Sequence, residues 1–568
     1  MIRFRLTRAV WVFGLAAVLA ALPVYAARDT RVRPPAAAVA TAEPLATRAG
    51  VEILKKGGNA FDAAVAISAT LAVVEPQSSG LGGGGFWMLH VAKDHRDVMV
   101  DGRERAPLAA TSDMYLDSNG DVIPNRSLNG AQAAGIPGEP AALVHLAQQY
   151  GRLPLAESLA PAIRLAREGF AITPRMRRFL TWRHDILAGD ARKVFLDNGK
   201  VPPPGFQIRE PDLANTLELI AKQGRAGFYS GRLARAMVKG VHADGGIWTL
   251  EDLAQYTAVE RAPIVGTYHG VRVVSAPPPS SGGIVLMEMF NILGGFNLDT
   301  MDKVTRDHTV IEAMRLAYRD RARYLGDTDY VRVDTARLLS PAYADLLRKT
   351  IGPKATPSAD LPLAGQPKGH NTTHFSVIDR DGNWVGATMS INYPFGCGYM
   401  APGTGVVLNN EMDDFSAKPG VGNVYGLVGT AANAIAPGKR PLSSMSPTFL
   451  EGPHRVAVLG TPGGSRIITM VLLSALDFIH HHASAAQMVG LPRFHHQYLP
   501  DKVEYEPKAF SPKEVAALKA LGYTLEAKDK GYGNMQVVVW DRARRRMQAA
   551  SDPRGEGMAE VVRTRLPR

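Results

Sequence analysis

The chain changes composition abruptly in its second half, and this boundary constrains what the residues around it can form. The tract 352–370 is rich in proline and glycine, which is typical of an exposed irregular loop. Two apolar runs follow, 374–379 and 384–391, and the linker between them contains Asp381-Gly382. Because an Asp-Gly pair is a strong turn signal, the pattern predicts a β-hairpin directly after the loop.

Helical periodicity dominates the chain before this boundary. Residues 44–56 are predicted to form a helix that ends at Gly57-Gly58, and Asn59 can cap a second apolar helix that runs through Val74. Further elements are predicted as follows: helices at 154–169 and 308–325, and a hairpin at 86–100. The residues alone indicate a large protein of mixed helix and strand, and its length of 568 residues leaves the domain count open.

The first 26 residues differ from the rest of the chain. Three arginines precede an apolar run, 9–22, and the small-residue pattern Val24-Tyr25-Ala26 follows it. The run is shorter than the roughly 20 residues that a membrane-spanning helix needs, so an uncleaved anchor is the weaker interpretation. We therefore expect residues 1–26 to be a signal peptide, and the mature protein to be periplasmic or secreted and free of the membrane.

The formal charge of +12 is spread along the chain, with dense basic groups only at 175–178 and 542–546. Neither group is interleaved with the aromatic residues on which single-stranded nucleic acids stack, so nucleic-acid binding is disfavoured. We interpret the positive charge as favouring solubility and attracting anions, such as peptides with extra carboxylates.

Two patterns suggest a cofactor or a metal, but the residues around them argue against both kinds of site. Residues 80–85 match G-x-G-x-x-G, but a strand-like run follows at 86–91, where a dinucleotide site requires a helix. The histidines at 480–482 and 495–496 lack the carboxylate or cysteine spacing of a recognisable ligand set. We therefore expect neither a nucleotide cofactor nor a metal.

Thr372 stands where the loop meets the first strand of the hairpin. If the bond before Thr372 were cut, the strand would begin with a hydroxyl and a free amine on one residue, a nucleophile beside its own base. The pKa of an α-amino group is about 7.7–8.0, so a useful fraction is unprotonated at neutral pH and no separate histidine is needed. An ordinary β-branched residue at a strand start is the alternative.

At this point the sequence resembles a known family, the γ-glutamyltransferases, which are N-terminal-nucleophile hydrolases. The resemblance covers nearly everything after residue 40. It rests on these ordered motifs: TTHFSV at 372–377, LNNEMDDF at 408–415, PLSSMSPT at 441–448, PGGSR at 462–466, GGNAFDAA at 57–64, SGLGGGGF at 79–86 and RERAP at 103–107.

The resemblance implies an α+β fold, a four-layer αββα sandwich formed jointly by two cleavage products. It implies that Thr372 attacks the carbonyl of Asn371, which divides the precursor into a large subunit, 27–371, and a small subunit, 372–568. Thr372 would then attack the γ-amide of glutathione or a related γ-glutamyl compound. The resulting γ-glutamyl ester would be transferred to water, an amino acid or a short peptide.

By the same resemblance, four residues serve catalysis. Thr372 is the nucleophile, and the hydroxyl of Ser390, where the family usually has threonine, orients it. Gly463 and Gly464 let backbone N–H groups approach the developing oxyanion, because glycine has no Cβ in the way. A routine cross-strand hydroxyl and a plain turn are the alternatives for Ser390 and for the glycines.

The resemblance assigns seven residues to substrate binding. Glu411 and Asp414 would hold the α-amine of the glutamyl group, with more weight on Asp414 because close bacterial relatives can carry glutamine at the other position. The remaining contacts are Arg103, Ser443 and Ser444 to the α-carboxylate, Asn392 to the amino or carboxylate end, and Tyr425 as a lid over the pocket. An arginine can bind a carboxylate through two parallel hydrogen bonds.

Two other functions remain open. An acylase of the same family would act on glutaryl or cephalosporin amides, but such acylases tend to lack the lid, and here both Tyr425 and Asp414 are present. A secreted binding protein that has lost catalysis would keep the scaffold without cutting itself.

Overall fold

The structure is a computed structural model that describes residues 33–358 and 372–562. The strands are β1 (Ala37–Thr41), β2 (Gly84–Val91), β3 (Arg96–Gly102), β4 (Phe170–Ala171), β5 (Ala188–Gly189), β6 (Gln207–Ile208), β7 (Val259–Arg261), β8 (Ile264–Tyr268), β9 (Val271–Ser275), β10 (Thr373–Ile378), β11 (Trp384–Ser390), β12 (Tyr399–Met400), β13 (Thr448–Glu451), β14 (Arg455–Gly460), β15 (Phe494–His495), β16 (Val503–Tyr505), β17 (Leu525–Ala527), β18 (Gln536–Asp541), β19 (Arg546–Ser551) and β20 (Met558–Val562).

The α-helices are α1 (Pro44–Lys55), α2 (Ala60–Val74), α3 (Glu139–Gln149), α4 (Leu155–Glu168), α5 (Pro174–Arg183), α6 (Ala191–Phe195), α7 (Pro211–Gln223), α8 (Ala226–Tyr229), α9 (Gly231–Ala243), α10 (Leu250–Gln255), α11 (Gly282–Leu293), α12 (Lys303–Tyr324), α13 (Thr335–Leu338), α14 (Pro341–Arg348), α15 (Ile467–His480), α16 (Ala485–Gly490) and α17 (Pro512–Ala520). Short 3-10 helices lie at Ala131–Ala133, His184–Ile186, Leu298–Thr300, Glu411–Asp414, Ala431–Asn433 and Gly464–Arg466.

Two antiparallel sheets carry most of the strands. The larger has seven strands in the order β20-β1-β10-β11-β2-β3-β7, and the other has six in the order β19-β18-β14-β13-β9-β8. In both sheets, strands from before residue 358 hydrogen-bond to strands from after residue 372. The two parts of the chain therefore share their sheets and do not form separate domains.

Alternating residues of the seven-stranded sheet face two different apolar clusters. On β1, Val39 packs into the cluster that contains α1 to α4, whereas Ala40 packs into the cluster that contains the six-stranded sheet with α11, α12 and α15. Successive side chains of a strand point to opposite faces, so each face of this sheet is covered by a different layer. The described elements make up a mixed α and β fold in which the two sheets pack against each other.

Local sequence signals account for the predicted helices and hairpins. The side chain of Asn59 caps α2 and forms a reciprocal capping box with Asp62, as the Gly57-Gly58-Asn59 pattern predicts. Helix α4 and the hairpins β2–β3 and β10–β11 are also confirmed. Helix α12 begins at Lys303 and not at 308, because Asp302 accepts hydrogen bonds from the first-turn amides at this earlier position.

The predicted signal peptide, 1–26, and Asn371 lie outside the described residues. Among the helices within the two described ranges, none combines the length and the apolar character that crossing a bilayer requires.

Candidate active site

Thr372 lies directly before β10, next to the hairpin partner strand β11. The register pairs Thr373 with Met389, and its continuation by one residue brings Thr372 opposite Ser390. Their hydroxyl oxygens are 3.4 Å apart, and both side chains are buried. The Asp-Gly turn that closes the hairpin therefore also determines which residue faces Thr372.

Ser390 is held by the residue that follows the end of its strand. The backbone N–H of Asn392 donates to the Ser390 hydroxyl oxygen at 2.8 Å, which leaves the serine proton available for Thr372. Asn392 has a φ of 68°, in the left-handed region, so it lies beyond β11 and not on the same strand face as Ser390. Its side-chain amide donates to the carbonyl of Asn410 at 2.9 Å.

Arg103 is a buried guanidinium at the centre of the site. One of its terminal nitrogens lies 2.8 Å from a carboxyl oxygen of Glu411, and the other donates to Asp414 at 2.5 Å. Glu104 is 3.5 Å away, and the carbonyl of Pro441 accepts from the remaining N–H. The fold combines Arg103 and the two acidic residues, for which sequence analysis predicted contacts to different ends of the substrate, in one ion-paired cluster.

Burial raises the pKa of two carboxyls of this cluster. Loss of contact with water raises the pKa of Glu104 to about 8, and it raises the pKa of Glu411 well above its usual value. Both carboxyls therefore favour the neutral form at pH 7. Asp414 is more exposed than the other two, at 13% of its side chain, and it pairs closely with Arg103. The cluster thus presents the carboxylate of Asp414 to the cavity.

Ser443 and Ser444 also line the cavity and are fixed by buried partners. The Ser443 carbonyl accepts from Ser281 at 2.7 Å, and its hydroxyl oxygen accepts from the N–H of Met445. The Ser444 hydroxyl oxygen accepts from Arg321 of α12 at 3.2 Å. Arg321 is 4% exposed, and a buried arginine almost always has a polar partner.

Gly463 and Gly464 have positive φ values of 145° and 58°, which favour glycine. A Cβ on Gly464 would lie 2.4 Å from the ring of Tyr425, so this position also requires glycine for space. The two glycines precede α15 through a short 3-10 turn, and N–H groups at such a helix start are positioned for a negatively charged atom.

Tyr425 closes the site above Asn392. Its hydroxyl donates to the Asn392 carbonyl at 2.7 Å, and its backbone N–H donates to the side chain of Asn423. Asn423 also donates to Asp414 at 3.2 Å, so the loop that carries the tyrosine is tied to the acidic cluster. Sequence analysis missed Asn410 and Asn423, although both lie within two residues of positions that it selected.

These side chains line a cavity with about 310 Å³ of atom-free space that is open to solvent. The wall contains all seven residues predicted to bind substrate, together with Thr372, Ser390 and Gly464. Gly463 is not part of this wall, although it adjoins Gly464 in the chain. The structure thus brings together, from motifs far apart in the sequence, a hydroxyl, an ion-paired guanidinium and carboxyl groups.

No described residue in the cavity wall is a histidine or a lysine. His374 is near in sequence but points into the space between the sheets, where it contacts the hydroxyls of Thr388 and Ser376. Burial lowers the pKa of His374 to about 3, so it is neutral at pH 7. Within 33–358 and 372–562, no group of three or more His, Cys, Asp or Glu side chains is arranged to hold a metal ion.

Comparisons with known proteins identify similar sequences and a similar fold. A profile of the family described as Gamma-glutamyltranspeptidase matches residues 46–562. The chain is 45% identical over 507 residues to the glutathione hydrolase proenzyme of Pseudomonas sp. (strain A14), with 88% of each chain covered. It is 42% identical over 525 residues to that of Escherichia coli (strain K12), with 91% of this chain and 90% of the other covered. The crystal structure of cephalosporin acylase from Bacillus halodurans has a TM-score of 0.83 at 30% identity and covers 96% of this chain and 100% of that chain.

Proposed function

This chain belongs to the γ-glutamyltranspeptidase family, and we propose that it is a self-cleaving enzyme that hydrolyses glutathione and transfers its γ-glutamyl group. The observation that carries the proposal is the position of Thr372, at the start of β10, opposite Ser390 and in the same cavity as Arg103 and Asp414. No histidine or lysine of the described cavity wall competes for the role of base, which favours the α-amine of a cleaved Thr372.

Maturation would proceed in two cuts. The signal peptide 1–26 directs the chain to the periplasm or beyond and is then removed. The Thr372 hydroxyl then attacks the carbonyl carbon of Asn371, and water cleaves the resulting ester to give subunits 27–371 and 372–568. This cut creates the free α-amine on Thr372. The relatives from Pseudomonas and Escherichia coli are described as proenzymes, which agrees with such a step.

In turnover, the Thr372 hydroxyl gives its proton to the α-amine and attacks the γ-carbonyl carbon of the substrate. Ser390 donates a hydrogen bond to the nucleophile, and the N–H groups of Gly463 and Gly464 stabilise the oxyanion. The amine leaving group takes the proton and departs, leaving a γ-glutamyl ester on Thr372. Attack by water or by an acceptor amine breaks this ester and restores the hydroxyl.

The charged cluster would bind the α-ammonium and the α-carboxylate of the glutamyl group. The Asp414 carboxylate accepts hydrogen bonds from the α-ammonium, and neutral Glu411 supplies an acceptor beside it. Arg103, Ser443 and Ser444 donate to the α-carboxylate, and Asn392 adds an amide contact. Tyr425 closes over the bound group.

The proposed architecture is a four-layer αββα sandwich to which both subunits contribute. Each face of the seven-stranded sheet packs into a different apolar cluster, one with helices and one with the second sheet, as this arrangement requires.

The main test combines mass spectrometry with release of p-nitroaniline from γ-glutamyl p-nitroanilide. The wild-type chain should yield a fragment that begins at Thr372, and it should release the anilide. The variant Thr372→Ala should remain one polypeptide and lose activity, since the hydroxyl serves both reactions. A fully active chain with residues 371 and 372 still joined would overturn the proposal. A Thr372→Ala variant that is processed normally would overturn it as well.

Acylase activity is the second candidate, because the Bacillus halodurans cephalosporin acylase shares the fold. Glutaryl p-nitroanilide, which lacks the α-amine, distinguishes the two activities. If Asp414 holds that amine, the glutaryl compound should be a much poorer substrate than the glutamyl one. Equal rates would favour the acylase, and no turnover of either compound by a cleaved chain would favour a binding protein.

A further inference from the structure

The residue after the proposed nucleophile is held by a carboxyl group from a distant helix. The Thr373 hydroxyl donates to Oε2 of Glu75 at 2.7 Å, across 298 positions of the chain. Thr373 is completely buried and Glu75 is 2% exposed, so water is kept away from this hydrogen bond. Burying two polar groups costs free energy that their hydrogen bond offsets, and the reaction proposed for Thr372 uses neither side chain.

Strand β10 is supported unevenly at the end where Thr373 lies. Its ladder with β11 includes Thr373, which pairs with Met389, whereas its ladder with β1 starts only at Phe375, opposite Thr41. Within the described residues, the first position of β10 therefore has a ladder partner on one side only. The hydrogen bond to Glu75 gives this position a further contact, from a helix that packs on the sheet.

Side-chain directions connect this contact to the nucleophile. Phe375 and Val377 pack into the apolar cluster that contains α1 to α4, and Thr373 continues their row on the same face of the strand. The same alternation directs Thr372 to the opposite face, where its hydroxyl oxygen lies 3.4 Å from that of Ser390. Holding Thr373 from one face therefore fixes the backbone that presents Thr372 to the other.

Glu75 is itself firmly placed. It directly follows α2, its backbone N–H donates to the carbonyl of Leu71, and its carbonyl accepts from the N–H of Ser78 at 2.8 Å. The carboxyl oxygen that Thr373 does not use lies 3.4 Å from Nε of Arg175 on α5. The carboxyl thus joins three elements, α2, α5 and β10, at the residue next to the proposed cleavage site.

We propose that Glu75 and Thr373 are positioning residues for the reaction at Thr372, and that their hydrogen bond places the nucleophile for both self-cleavage and turnover. The inference rests on the proposed function and adds two residues that are not part of the described cavity wall. A displacement of about 1 Å can lower a rate about 100-fold, because the reacting atoms have to meet at a defined distance and angle. Loss of this hydrogen bond therefore acts on the rate through the position of Thr372.

The main variant is Thr373→Val, which keeps the branched shape of the side chain and removes the hydroxyl. Mass spectrometry follows the appearance of the fragment that begins at Thr372, and kcat per cleaved chain and KM are measured with γ-glutamyl p-nitroanilide. We expect slower self-cleavage and a kcat lowered about tenfold or more, with KM within about twofold of wild type, because the residues that bind the glutamyl group are unchanged. Thr373→Ser retains the hydroxyl and should bring both rates to within about threefold of wild type.

Thr388→Val is the matched control. Thr388 lies on β11, is completely buried, and its hydroxyl hydrogen-bonds to Nδ1 of His374 at 2.8 Å. The same chemical change thus breaks a buried hydrogen bond of similar length in the same hairpin. Both valine variants should lower the melting temperature by similar amounts, but Thr388→Val should keep the wild-type cleavage rate and kcat. Equal losses of kcat in the two variants would show a general effect of destabilisation and overturn the inference.

A double-mutant cycle tests the part played by Glu75. Glu75→Met removes the acceptor of the hydrogen bond, so it should lower kcat as Thr373→Val does. Because both changes break one and the same bond, the combined variant should be about as slow as the slower single variant. Losses that multiply in the combined variant would show that the two residues act independently, and would overturn the inference. If Glu75→Met does not fold, the three variants Thr373→Val, Thr373→Ser and Thr388→Val still decide the question.

The outcomes distinguish this inference from the proposed function. If the wild-type chain neither cleaves itself nor releases p-nitroaniline, the proposed function fails. If wild type does both and Thr373→Val equals it in cleavage rate and kcat, the inference fails alone. A Thr373→Val variant with a raised KM and an unchanged kcat also overturns the inference, because the effect would then lie in substrate binding and not in the position of the nucleophile.

Discussion

Glu411 and Asp414 are three residues apart and share one guanidinium, yet they differ in their exposure to the cavity. Glu411 is 1% exposed, and burial raises its pKa well above the usual value, whereas Asp414 reaches the cavity. In this arrangement Asp414 would supply the negative charge next to Arg103 that the proposed function assigns to the α-ammonium of a substrate. The two residues therefore make a matched pair for mutation.

We expect Asp414→Asn to lower kcat/KM for γ-glutamyl p-nitroanilide at least ~100-fold, because it removes the charge that binds the amine and deprives Arg103 of its charged partner. Glu411→Gln should lower kcat/KM for the same substrate less than about fivefold, since glutamine has the shape of the neutral carboxyl. The two rates are measured in parallel at pH 7.5. Equal losses in both variants would contradict the assignment of the charge to Asp414.

Gly464 combines a left-handed backbone with a lack of space beside Tyr425. Gly464→Ala should lower kcat at least ~100-fold, because the new Cβ displaces the ring of Tyr425 and the N–H groups next to the nucleophile. Gly403 is the control, since it has a φ of 72° but no atom within 4 Å of an added Cβ. Gly403→Ala should lower stability by about 1 kcal/mol and retain activity. Thermal melts and anilide kinetics of both variants separate strain from steric overlap, and similar activities would refute this account.

Among the secondary-structure elements, β10 separates two environments. Phe375 and Val377 face the helical cluster, while His374 and Ser376 face the second sheet. His374 therefore acts as a buried polar residue of the inter-sheet space, and its closeness to Thr372 in the sequence gives it no catalytic geometry.

Because burial lowers the pKa of His374 to about 3, the unfolded chain binds more protons than the folded chain between about pH 6.5 and pH 3. The stability associated with its neutral form is complete above pH 6.5 and is lost as the pH falls towards 3. Between pH 7 and pH 5 this loss amounts to about 2 kcal/mol at most. His374→Gln should therefore show a smaller drop in melting temperature over that range than wild type.

The comparison for His374→Gln is His481→Gln, which changes a side chain that is 59% exposed. That variant should follow the wild-type pH dependence. If His374→Gln and wild type lose melting temperature in parallel from pH 7 to pH 5, His374 does not contribute to acid sensitivity.

In the molecule as a whole, strands from both sides of the proposed cut interleave. In the seven-stranded sheet, β10 and β11 lie between β1 and β2, so the later part of the chain is inserted into a sheet built by the earlier part. Separating the two subunits would break ladders on both sides of this pair and expose both apolar clusters. Cleavage at the proposed site would therefore leave one folded body.

We expect the fragments 27–371 and 372–568 to co-elute in size-exclusion chromatography after complete cleavage, and to separate only in denaturant. Gel electrophoresis under denaturing conditions identifies both fragments in the single peak. Uncleaved Thr372→Ala protein should elute at the same volume as cleaved wild type. Fragments that separate in native buffer would contradict the interleaved topology.

Features that depend on neighbouring residues could be predicted from the amino-acid sequence. The Asp-Gly turn, the alternation of β10 and β11, and the cap at Asn59 follow from hydrogen bonds and side-chain directions within a few positions. Extending the hairpin register by one residue is enough to set Ser390 opposite Thr372. Family motifs added the identities of the other wall residues, although they predicted separate roles for them.

The interactions between these wall residues depend on packing across the whole fold. Arg103 and Asp414 are 311 positions apart, and their ion pair forms because the folded strands bring the ends of two distant loops together. The approach of α5 to residues near 463 and 530, where these segments line one cavity, likewise depends on the whole fold. Burial, and with it the charge of Glu411 and His374, is a property of the packed molecule, since water is excluded by residues from many segments at once.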